Sequence, residues 1–147
     1  MDGEGAPESG PMLDPRAIAR GSTIGLVVII PITVVGAVLE RVLDDPCGAD
    51  SPWIGLLALG IFGAYVVAGW LAGTAAPGGA LSNGALAGLG AFVLWIPVRL
   101  FIYAIRGDVA HCSRHVFTPG QIFFHLLAGA AFGMLGGYLG GRRAANR

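Results

Sequence analysis

Apolar positions along the chain gather into four long runs, and the polar positions fall mostly between them. The runs cover about 22–43, 53–76, 80–104 and 120–141. Each approaches the ~20 apolar residues that a helix needs to cross a hydrocarbon layer about 30 Å thick. The first passes from Ser22 to Leu39 without a charge. That is too long for the apolar region of a signal peptide, and no small-x-small cleavage site follows, so the run is expected to persist as a helix. The second, from Trp53 to Ala76, is uncharged throughout, with Trp53 placed as an interfacial aromatic anchor. The pattern predicts an all-α fold, a bundle of four transmembrane helices occupying residues 16–147. Residues 1–15, acidic and bearing Gly and Pro, are expected to form a disordered cytoplasmic tail.

The connections are of two kinds. Pro77-Gly78-Gly79 forms a tight turn between the second and third runs. The other two, Asp44 to Pro52 and Arg106 to Pro119, are longer and polar. Corresponding features recur at offsets of roughly two spans: Pro31 and Pro97 each follow Ile inside a run, and Cys47 and Cys112 each sit in a long loop. A duplicated helical hairpin is one origin for this pattern. Pro31 and Pro97 free the carbonyls of Val27 and Val93, which makes each a static kink or a hinge.

Composition sharpens the class. Hydrophobic residues make up 54% and charged residues 12%, about half the usual charged share, so a water-soluble domain of this size is excluded. The 25 glycines lie largely inside the apolar runs, where small residues let helix backbones approach in lipid. Gly129, Gly133, Gly137 and Gly141 recur every four residues in the fourth run; Gly84 and Gly88 in the third, and Gly69 and Gly73 in the second, repeat the spacing. These faces are expected to hold helices together, within one chain or between copies.

Net charge is zero, which leaves no footprint for nucleic acid. All nine basic residues are Arg. Five of them (Arg16, Arg20, Arg142, Arg143 and Arg147) lie at the termini, which a four-span chain keeps on one side. The bias predicts cytoplasmic termini and insertion in the plasma membrane. Cys47 and Cys112 share the opposite side, where a disulfide, two free thiols, or a metal site with His111, His115 and Asp50 are the alternatives. The spacing carries no metal signature, and no metal ion is expected.

Three ionisable residues interrupt the apolar segments near the longer loops: Glu40, Arg99 and His125. Glu40 lies one turn beyond Gly36, Arg99 three turns beyond Gly88, and His125 one turn before Gly129. All three therefore point toward helix contacts. Charges inside a bilayer mark functional sites by default, so a polar cluster able to bind an ion or relay a proton is one reading. The other is structural: Arg99 snorkelling past Tyr103, Glu40 bridging to Arg99 or Arg106, and His125 hydrogen-bonded to a carbonyl. Ser82 and Asn83 are expected to serve the Pro77 turn or the start of the third helix.

No phosphate-binding loop, redox cysteine pair or nucleophile elbow is present, so neither a cofactor nor an enzymatic activity is expected. The segments Ala68-Gly69-Trp70-Leu71-Ala72-Gly73 and Asn83-Gly84-Ala85-Leu86-Ala87-Gly88 resemble the Gly-rich helix ends of small four-span bacterial membrane proteins. That resemblance covers the spans only and brings no activity with it. The expected partners are the lipid bilayer and a second copy or another membrane protein. The leading reading is a packing, assembly or accessory subunit. The alternative is a small transporter or channel formed by oligomerisation, with Glu40, Arg99 and His125 on its path.

Overall fold

The computed structural model describes residues 13–43, 52–106 and 118–146. Within them lie four long helices: α1 (Pro15–Val42), α2 (Trp53–Ala75), α3 (Ala80–Arg106) and α4 (Pro119–Ala145). A short 3-10 turn, Pro77–Gly79, joins α2 to α3. All four helices are long and apolar enough to cross a membrane. Their most apolar windows have mean hydropathies of 1.6 to 2.4, yet at most 28% of any window is buried inside the bundle. The remainder, including Val27, Leu56, Phe101 and Phe123, faces outward. Apolar surface on that scale calls for lipid as its solvent, and the chain is a small multi-pass membrane protein.

The first helix begins a full two turns before the apolar run. Asp14 is its N-cap, its carboxylate accepting from the backbone N–H of Arg16 at 2.9 Å and of Ala17 at 3.2 Å. Pro15 occupies the first helical position, where its fixed φ suits the helix and its missing N–H costs nothing. Residues 13–15 are thus ordered, which shortens the expected tail; residues 1–12 lie outside the described residues. Arg16 and Arg20 belong to the helix, and α1 reaches about 42 Å at 1.5 Å per residue. The helix also ends one residue inside the expected limit of 43. The second helix stops at 75, whereas α3 and α4 extend past the expected 104 and 141. Thr118 caps α4 through Oγ1, accepting from the backbone N–H of Gln121 at 3.3 Å.

In section the bundle is a lozenge. The α2 and α3 helices meet across its short diagonal, with α1 seated against both on one side and α4 against both on the other. The two hairpins are therefore not packed as interchangeable copies. At one end lie Asp14, the Pro77–Gly79 turn and the end of α4; at the other lie Glu40, Trp53, Tyr103 and Thr118.

Glycine decides how closely α4 approaches. A Cβ on Gly69, Gly73, Gly84 or Gly88 would strike the backbone of α4 at Gly133, Gly137 or Gly129. A Cβ on Gly133 or Gly137 would strike α3 at Gly84 or Ala80, and one on Gly141 would press on the Ala80 methyl. Gly136 and Gly140 do the same toward Val66 and Trp70 of α2. The fourth helix therefore presents two smooth faces, one to each neighbour. On the opposite side Gly21 and Gly25 of α1 lie over Ala68, Ala72, Ala87 and Ala91, and Ser22 Oγ donates to Ala87 O at 3.1 Å.

Each of the eight predicted packing glycines thus meets another helix of the same chain, the first of the two expected roles. The glycines with open space around them are Gly55, Gly63, Gly78 and Gly120, none in the predicted set. Asn83 also differs from expectation. It is fully buried, and its Oδ1 accepts the backbone N–H of Asp14 at 2.9 Å, so it ties the start of α1 to α3. Ser82 is exposed. Pro31 and Pro97 lie on the outer surface, as do Val27 and Val93, so the backbone groups freed by the prolines lie away from the core.

Candidate functional site

Toward the end of the bundle that holds the longer connections, the helices part around a cavity of about 130 Å³. Glu40 from α1, Arg99 from α3 and His125 from α4 all line it, together with Trp53 of α2. The three ionisable residues singled out by helical spacing are therefore brought together. The walls between them are apolar: Ile32, Ile54, Leu57 and Ile61. A mainly apolar lining with a few polar groups is the usual make-up of a small-molecule site.

Arg99 is held in place from two sides. Its guanidinium carbon lies 4.8 Å from the centroid of the Trp95 ring and 5.5 Å from that of Tyr103. Its Nε donates to Tyr103 Oη at 2.9 Å. Both rings are buried, at 1% and 2% exposure, so neither can swing aside cheaply. Trp95 is locked in turn: its Nε1 donates to Thr33 Oγ1 at 2.8 Å, and that hydroxyl donates to Ile29 O at 3.0 Å. The expectation that Arg99 simply extends past Tyr103 is replaced by a guanidinium clamped between two aromatic faces. Cation–π contact of this kind is worth about 2 kcal/mol or more when desolvated.

His125 sits deeper. Its imidazole stacks on Phe92 at 5.5 Å with the planes 10° apart, and lies 5.6 Å from Trp95 and 5.8 Å from Phe124. Its Nδ1 is buried with no hydrogen-bond partner among the described residues. The expected carbonyl partner for that nitrogen is not there. Trp53 Nε1 is buried and unpartnered in the same way, and Trp53 lines the cavity instead of serving only as an interfacial anchor. Glu40 is 8% exposed and makes a polar interaction of its own.

Below the cavity the bundle closes. Ile29, Ala64, Tyr65, Ala68, Ala91 and Phe92 are buried to 2% exposure or less. Toward the middle of the bundle the cavity is therefore bounded by packed side chains. Among the described residues no group of three His, Cys, Asp or Glu side chains is placed to hold a metal ion. Cys47, Asp50, His111, Cys112 and His115 lie outside the described residues.

Trp95, Tyr103 and Thr33 were not identified as site residues from sequence. Trp95, Arg99 and Tyr103 stand at i, i+4 and i+8, a spacing that places two aromatics above and below one cation on a single helix face. No protein-family model, curated protein or solved structure matches the chain.

Proposed function

We propose that this is a non-enzymatic accessory subunit of the plasma membrane, bacterial in origin, with cytoplasmic termini and the cavity lined by Glu40, Arg99 and His125 as its point of engagement. The observation that carries the reading is the convergence of Glu40, Arg99 and His125 on a cavity that ends at a closed core. The eight packing glycines meet helices of the same chain, so no second copy is needed to cover them. A cavity bounded by a packed core can receive a group without passing it through a single copy. The Arg bias supports the orientation, which puts the cavity on the extracytoplasmic face.

The rival, a transporter or channel built from several copies, draws on the same cluster. Its path would have to run between chains, because a single copy is sealed below the cavity. Purified protein reconstituted in liposomes decides between them. The accessory reading expects ion and proton flux equal to empty vesicles for both wild type and Arg99→Ala. Flux above that background which Arg99→Ala abolishes would establish transport instead. Capture of one reproducible membrane partner after cross-linking in intact cells is the positive result expected. A protein that is monomeric and captures nothing removes the support for an accessory role.

A further inference from the structure

On the outer surface between α1 and α3 runs an apolar groove of about 340 Å³. Val34, Val38 and Ile105 line it, and Arg41 stands at its loop-side end. Ala37 and Ile102 line both this groove and the cavity that holds Arg99. One small side chain and one Ile therefore form the partition between a lipid-facing channel and a cationic pocket. The groove and the cavity are therefore neighbours, and a molecule lying in the groove has its head beside the cavity.

We infer that the groove and cavity together bind one anionic amphiphile of the bilayer, a lipid whose phosphate is held by Arg99 and Arg41. The terminal nitrogens of Arg99 take no part in its hydrogen bond to Tyr103, which uses Nε. They form a planar donor pair, the geometry that suits a phosphate. The two aromatic contacts fix the guanidinium beforehand, so little rotamer freedom remains to be lost on binding. Arg41 is exposed at the end of α1, at the depth where headgroups lie. The acyl chain follows Val34 and Val38, which are 46% and 55% exposed and have no protein covering them among the described residues.

Glu40 shares the cavity, and its carboxylate opposes the phosphate. The two arginines outnumber it, so the balance of these three charges still favours an anion. Glu40 thereby limits affinity, and its neutral isostere should bind more tightly. This inference goes beyond the accessory role and is measured on the isolated protein, so its outcome is independent of whether any partner is found.

The test is native mass spectrometry of the full chain released from nanodiscs made of equal parts phosphatidylglycerol and phosphatidylcholine, with inorganic phosphate added in a parallel arm. One phosphatidylglycerol per chain is expected to survive release, in preference to phosphatidylcholine. Arg99→Gln should weaken that retention at least about tenfold, the loss expected for a charge-assisted hydrogen bond. Arg41→Gln, at an exposed position that does not burden folding, should weaken it several-fold, and Glu40→Gln should strengthen it. Equal retention of the two lipids overturns the inference, as does wild-type retention in both arginine variants. Displacement of the lipid by millimolar phosphate alone also overturns it, because the site would then recognise a free anion and not an amphiphile.

Discussion

Gly69 and Gly63 lie on the same helix, six residues apart, and substituting each by Ala should have opposite consequences. A Cβ at Gly69 would fall 2.7 Å from the carbonyl carbon of Gly133 and 2.9 Å from its Cα, and closer still to its oxygen. Ordinary carbon contacts lie at about 3.5–4.0 Å, so the shortfall is about 1 Å. The atoms struck are backbone, and no rotamer change relieves them. The α2–α4 pair must separate, which loosens Gly73 and Gly137 at the next turn as well. Overpacking of this kind costs about 1–3 kcal/mol. At Gly63 nothing lies within 4 Å, so the added methyl meets only lipid. Both substitutions gain the same helix propensity, up to about 1 kcal/mol, and it cancels in the comparison. Gly69→Ala should therefore be less stable than Gly63→Ala by about 2 kcal/mol. Reversible unfolding in mixed micelles, titrated with dodecyl sulfate and followed by Trp fluorescence, reads this difference directly. Light scattering should find the same molecular mass for both, since Gly69 serves contacts inside one chain. Stabilities within about 0.5 kcal/mol of each other would refute the packing argument, and a Gly69→Ala variant that lost mass instead of stability would refute its intramolecular form.

Two further substitutions probe the supports of the site and of α1. Thr33→Val keeps the shape of the side chain but removes the acceptor for Trp95 Nε1, leaving a buried donor unpaired. A loss of about 1–3 kcal/mol is expected in the same titration, with a shift in the Trp emission maximum; an unchanged spectrum and stability would mean that Trp95 is held by packing alone. Asp14→Ala removes the cap of α1 and should cost about 1 kcal/mol while raising amide exchange at Arg16 and Ala17. Protection that stays at wild-type level at those two amides would show that Asn83 and Pro15 suffice to start the helix.

How far each feature could be read from the chain depends on the range of the interaction that creates it. The four spans were legible because a bilayer imposes a length and an apolarity on each segment separately. The inward direction of Glu40, Arg99 and His125 was legible too, because helical periodicity relates each to a small residue on its own helix. The start of α1 was missed although its signal is local: Asp14 followed by Pro15 is an N-cap before an N1 proline, masked by the acidic residues around it.

Which helix meets which lay beyond the sequence. A row of small residues states that something can approach closely but not what approaches. Only the assembled bundle decides that α4 spends Gly133 and Gly137 on α2 and α3 together, and that each of the eight predicted packing glycines meets a helix of the same chain. The same holds for the cavity. Arg99 is clamped by rings on its own helix, but the Trp95 ring is locked by Thr33 of α1, and the space it faces exists because Trp53 and His125 enter from two other helices. Periodicity assigns a face to each residue. The depth of a cavity and the partners around it arise from four such faces meeting, and that depends on distances no single helix contains.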